Sequence, residues 1–170
     1  MLPKGLKETS SIITIGAQVL ESAANTFTSQ QVDLQLNPLD NEVFVVYAVD
    51  VDLLDPEFIP GTTTQVRGSI STTQRTTVGE IKDANVLAHN RITLANDGVI
   101  LARSDFASDS APSSQLPYLA IISTNDFFLN IQGSANTVPR SMTARVYGVR
   151  AKATDASVYA ALVQSELLSA

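Results

Sequence analysis

The sequence predicts an all-β sandwich of two sheets, with an arm in front and a short helix behind. Three observations lead there. Short runs rich in Val, Ile, Leu, Thr and Tyr recur along the chain, separated by Asn, Asp, Gly and Pro, the punctuation of strands and turns. Hydrophobic residues make up 44% of the 170 positions and charged residues only 16%, which gives one domain a proper core and rules against disorder. A period of three to four residues appears only after residue 154.

Residues 1–26 read as an N-terminal arm with a first strand available at 11–20. Pro3, Gly5 and mixed charge break any period before Ile12. Val32, Leu34 and Leu36 alternate with Gln31, Asp33 and Gln35, a half-buried strand that stops at Asn37-Pro38. The most apolar stretch, NEVFVVYAVDVDL, puts Val43, Val45, Tyr47, Val49, Val51 and Leu53 on one face at period two. Phe44, Val46 and Ala48 make its other face apolar as well, before Asp50 and Asp52 turn it polar. A strand covered on both sides at its start and wet on one side at its end is expected.

The stretch DLLDPEFIPG should be a loop, followed by a strand over 65–73 and a polar segment over 74–84. RITLANDGVILAR is the strongest hairpin signal, because Asn, Asp and Gly tolerate the positive φ of a tight turn. It joins strands at 86–95 and 98–103. A Ser/Asp/Pro-rich loop is expected over 104–117, then strands at 118–124, 127–132 and 142–153. From Asp155, the residues Val158, Tyr159, Leu162, Val163, Glu166 and Leu167 recur at helical spacing, with Thr154 or Asp155 as N-cap. At about fourteen residues this helix is too short to stand alone in water and must dock. The expected division is therefore 1–26 arm and first strand, 27–153 sandwich, and 154–170 C-terminal amphipathic helix. Eight runs after residue 26 are the number that an eight-stranded jelly roll needs.

The composition also excludes chemistry. There is no cysteine, so disulfides, thiol catalysis and Cys zinc sites are out. The net charge of −6 and scattered cations are a poor match to nucleic acid; only Arg145, Arg150 and Lys152 cluster. No stretch approaches a membrane span or a secretory leader. His89 is the single histidine, without a nucleophile beside it, and reads as a partly exposed strand residue rather than a catalytic base. Asp50, Asp52, Asp55 and Glu57 are the densest acids. Their oxygens suit Ca²⁺ in kind, but the glycine of an EF-hand loop is absent, and they read as the solvated end of a strand. No metal or cofactor is expected. With no tryptophan, sugar platforms are also missing.

The arm before the first run at Phe27, the eight runs to Ala153, the Ser/Thr/Asn-rich loops and the tail from Asp155 to Ala170 make the whole chain resemble a viral coat protein. The resemblance is to single jelly-roll capsid proteins of tailless icosahedral viruses, including the vertical jelly-roll type of membrane-containing DNA viruses. It implies a structural virion protein, not an enzyme, that assembles in the host cytoplasm with copies of itself and with other coat proteins, and takes no small-molecule substrate. One departure matters: the arm offers only Lys4 and Lys7, offset by Glu8, where RNA-packaging coat proteins carry a strongly basic arm. Direct nucleic-acid binding is therefore not expected, and a shell over an internal membrane or over separately packaged DNA is. The residues expected at subunit contacts are Leu2 and Leu6 in the arm; Phe44, Phe58 and Ile59; one of Phe127 and Phe128, since adjacent strand positions face opposite ways; and Tyr159, Leu162, Val163 and Leu167 in the tail. Removing 155–170 should then leave a soluble sandwich that no longer assembles. The competing readings are a Ca-dependent or carbohydrate-binding adhesin, a carboxylate hydrolase, and a phage tail or spike component.

Overall fold

The computed structural model describes residues 2–108, 111 and 116–168. Its strands are β1 (Leu6–Glu8), β2 (Ile13–Leu20), β3 (Thr28–Asp33), β4 (Glu42–Leu53), β5 (Thr64–Ser71), β6 (Val86–Asn96), β7 (Leu101–Ala107), β8 (Ala120–Ile122), β9 (Asp126–Ser134) and β10 (Ser141–Ala153), followed by α1 (Ala156–Leu168). They form two antiparallel sheets, among the described residues. One holds β10 between β4 and the collinear β1 and β2, with β8 beyond β4; the other runs β3-β9-β5-β6-β7.

The pairing is nested. β2 pairs with β10, β3 with β9, β4 with β8 and β5 with β6, as in one long folded ribbon. The ribbon is then wrapped, because β10 also pairs with β4 and β9 with β5. Nested pairs closed in this way define a jelly roll. The eight runs after residue 26 are all present as strands. The roll itself uses β2 as its first strand, however, and carries β7 as an extra edge. β3 lies three residues earlier than its alternation implies, since Gln35 sits at φ 52. Leu34 and Leu36 are buried all the same, with their N–H groups donating to the carbonyl and side chain of Asn125. β7 begins later than expected and takes in residues 104–107 of the expected loop, of which 109–110 and 112–115 lie outside the described residues.

The core lies between the sheets. Phe44, Val46, Val49, Leu53, Met142 and Val146 meet Val66, Ile70, Phe127, Leu129 and Ile131. A second apolar cluster lies on the outer face of the first sheet: Val43, Val45, Val149 and Ala151, with Leu2, Leu6, Tyr47, Tyr118, Ile121, Tyr159 and Leu162 around them. The helix α1 is its cover. Asp155 caps α1, accepting from the Val158 N–H at 2.9 Å and the Ser157 hydroxyl at 2.6 Å. These two bonds also hold the Asp155 carboxyl below its ordinary range, the Ser157 hydroxyl contributing most.

The two faces of β4 exchange at one point. The register with β10 slips between Tyr147 and Gly148, leaving Tyr47 as an extra residue in β4. Phe44 and Val46 face the core before the bulge; Val49, Val51 and Leu53 face it afterwards. The single face from Val43 to Leu53 expected from period two is therefore broken. Val43, Val45 and Tyr47 lie under the helix, and Asp50 and Asp52 fall on the uncovered half of the same outer face. Opposite the bulge, Gly148 is required: a Cβ there would stand 2.3 Å from the Val45 carbonyl oxygen and 2.7 Å from the Phe44 ring.

Candidate assembly surface

The loop between β4 and β5 is built from Leu54 to Thr63 and is bonded on two sides. Toward the β6–β7 hairpin, the Asn96 amide donates to the Ile59 carbonyl at 3.3 Å, and Arg103 pairs with Asp55 at 3.3 Å. Toward the β9–β10 connection, the Glu57 N–H donates to Asn136 at 3.0 Å, and Arg140 donates to the Asp55 carbonyl at 2.8 Å. Glu57 in turn accepts from the Thr137 N–H and from its hydroxyl, which holds the Glu57 carboxyl below its usual range; Arg140 adds to this.

The hairpin tip is fixed by its own side chains. Asn96 accepts from the Gly98 N–H at 2.8 Å; Asp97 accepts from the N–H groups of Val99 at 2.9 Å and Ile100 at 2.7 Å. Gly98 takes the positive φ of 91° that the turn demands. These polar bonds turn inward along the backbone and leave the apolar side chains outside. Val99 is 91% exposed, Ile100 67% and Phe58 60%; Leu54, Leu101 and Val138 are exposed as well. Ordered loops that present large apolar side chains together at one end of a sandwich form the kind of patch that marks a contact surface.

The expected contact residues divide into three groups. Phe44 and Phe127 belong to the core between the sheets, and Phe128 is 9% exposed, so intrachain packing occupies all three. Leu2, Leu6, Tyr159 and Leu162 pack in the outer cluster of their own chain, because the arm pairs with β10 through β1 and α1 closes over both. Phe58 and Leu167 are exposed; Ile59 and Val163 are half-buried. Val99, Ile100 and Leu101 fall outside the expected contact residues, although three large apolar residues directly after an Asn-Asp-Gly turn are a signal, since a hairpin tip has no core to fill.

The acids do not converge. Asp50 accepts from the Tyr147 hydroxyl at 3.2 Å beside Arg145, Asp55 is held by Arg103, and Glu57 by Thr137. Asp50 and Asp52 line an open groove of 490 Å³ with Gly16, Ala17, Thr143 and Arg145. Among the described residues, no three of His, Asp and Glu gather as metal ligands would. His89 is not the partly exposed residue expected: it is 4% exposed, beneath the 74–85 loop, with Nδ1 2.7 Å from the Gly79 carbonyl. A carbonyl only accepts, so Nδ1 carries the hydrogen. Burial lowers the His89 pKa, more than the Gly79 bond raises it. Of the basic cluster, Arg150 pairs with Glu42 and Lys152 with Asp40, while Arg145 donates to the Tyr147 hydroxyl. Among the described residues, no helix is long and apolar enough to cross a membrane.

No family model matches the chain, and no curated protein matches it. Among solved structures, it is similar to Desmodium yellow mottle tymovirus, with 8% identity, a TM-score of 0.32, and coverage of 88% of this chain and 93% of that one. The empty head of turnip yellow mosaic virus gives 10%, 0.31, 91% and 86% in the same order. Turnip yellow mosaic virus itself gives 11%, 0.30, 92% and 90%. The jelly-roll assignment stands on the strand order alone.

Proposed function

We propose that this protein is a structural subunit that associates with copies of itself into a closed shell, a virion capsid protein of the single jelly-roll kind. The observation that carries the reading is the exposure of Phe58, Val99 and Ile100 on loops bonded into place, with Leu101 exposed at the start of β7 beside them in sequence. Holding such side chains in water is unfavourable by roughly 1.5–3 kcal/mol for each large one that a neighbour would bury. The pre-bonded loops lose little further freedom on docking. The arm supports a shell over an internal membrane or over separately packaged DNA: Lys4 and Lys7 are its cations, and Lys7 lies within β1 on the subunit's own sheet. Other coat proteins are partners of the same type of contact.

Light scattering after size-exclusion chromatography, followed by negative-stain imaging, tests the reading. The wild-type chain should form particles, and the double variant Phe58→Ser, Ile100→Ser should keep its β-type circular dichroism while remaining small. A wild-type protein that stays monomeric at high concentration, or a double variant that assembles unchanged, refutes it.

A further inference from the structure

The outer edge of β7 is open: among the described residues nothing pairs with it, and every residue from Leu101 to Ala107 except Phe106 is exposed. It carries no proline and no bulge, and its two charges, Arg103 and Asp105, are of opposite sign and so do not repel a reversed copy of the strand. Antiparallel pairs alternate between those that exchange hydrogen bonds and those that do not. The Ser108 N–H donates to the His89 carbonyl at 3.0 Å, and the Asp97 N–H to the Ile100 carbonyl at 3.4 Å. Stepping by twos between these bonds along the β6–β7 register makes Arg91/Phe106, Thr93/Ser104 and Ala95/Ala102 the bonded pairs. Leu101, Arg103, Asp105 and Ala107 therefore turn their N–H and C=O groups away from β6, onto the open edge.

From this we infer that β7 pairs with β7 of a second copy, antiparallel about a two-fold axis through Ser104, joining the β3-β9-β5-β6-β7 sheets of the two copies into one. In that register Arg103 lies opposite Asp105 of the second copy and Asp105 opposite its Arg103. Leu101 lies opposite Ala107, and all the outward groups of these four residues are bonded. The charge order of the strand is thus complementary to itself when reversed. Opposite charges directly across a ladder stabilise it, and like charges oppose it. Within the subunit Arg103 pairs with Asp105 at 3.0 Å and with Asp55 at 3.3 Å, so the intersubunit pairs form by exchange of these exposed contacts.

The inference rests on the proposed reading of the protein as a self-associating subunit, and the test separates the two. The chain has no cysteine, so Ser104→Cys introduces a single thiol. In the proposed pair the two copies of residue 104 face each other as a non-bonded pair, with Cα atoms about 4.5 Å apart, within disulfide reach. Two copies of Ala102→Cys would lie about 13 Å apart along the ladder. Under mild oxidation at assembly concentration, Ser104→Cys should form a linked dimer at least tenfold faster than Ala102→Cys. Arg103→Asp and Asp105→Arg should each fail to pair alone and should pair with one another when mixed. Particles that form without faster linking of Ser104→Cys overturn the β7 pairing and leave the capsid reading intact. A protein that is monomeric throughout overturns both.

Discussion

Glu166→Ala should release the C-terminal helix while leaving the sandwich folded. Glu166 is 8% exposed, and its carboxylate is the point at which α1 is tied to the β8–β9 turn. It accepts from the Ser123 N–H at 2.6 Å, the Ser123 hydroxyl at 2.6 Å, the Thr124 N–H at 3.2 Å and the Thr124 hydroxyl. Ser123 is buried and Thr124 only partly so. Alanine therefore strands the two Ser123 donors, at about 1–3 kcal/mol each, while water can reach those of Thr124. A total near 3 kcal/mol raises the opening equilibrium of the helix by roughly 100-fold. Tyr159 and Leu162 still pack on the outer cluster, but an isolated helix of this length has no stability of its own. Hydrogen exchange followed by mass spectrometry should show that loss of protection over 156–168, with β5 and β9 unchanged. Glu166→Gln, which keeps one carbonyl acceptor, should fall between. Protection of the helix within threefold of wild type in Glu166→Ala would mean that the apolar contacts alone hold it and that the clamp is incidental.

Three further outcomes follow from the same contacts. Gly148→Ala forces a Cβ against the Val45 carbonyl and the Phe44 ring, and should cost about 3 kcal/mol or more, seen as a Tm lowered by roughly 6–12 °C in a chain of this size. His89 has a folded-state pKa below its ordinary value, chiefly through burial, so the unfolded chain binds the proton more readily; its contribution is complete above about pH 6.5 and is lost as pH falls from there toward the lowered value. Denaturation midpoints taken from pH 7.5 to pH 5 should fall for wild type and fall less for His89→Asn, and equal slopes would exclude His89 as the cause. Deleting 155–170 bares Val43, Val45, Val149 and Ala151, so turbidity should report a poorly soluble sandwich rather than the soluble one the sequence implies.

Where alternation meets an unbroken ladder, the sequence was sufficient. Met142, Ala144 and Val146 face the core as their spacing requires, and the Asn96-Asp97-Gly98 turn closes the hairpin it marks. It failed where one inserted residue or one distant partner decides the outcome. Tyr47 bulges out of β4, and every side chain after it changes face; the close approach opposite it is at Gly148, about a hundred residues away, which no local pattern connects to Tyr47. The arm was unreadable for a related reason: Leu6–Glu8 has too few residues to show a period, and it becomes a strand only because the end of β10 offers an edge. Leu2, Leu6, Tyr159 and Leu162 are correctly apolar and in need of cover, yet composition cannot distinguish cover by the chain itself from cover by a neighbour. Within the chain, these four pack on one another and on β4 and β10. The outer face beside the bulge is closed from within by arm and helix, and Glu166 locks the closure. At the far end, Phe58, Val99 and Ile100 have no such lid among the described residues, and the strand leading away from them leaves its edge open. A chain that uses its arm and its end helix to seal one apolar face, and bonds its loops so as to hold other apolar side chains in water, has separated the surface it needs for folding from the one that, on the proposed reading, its own copies would cover.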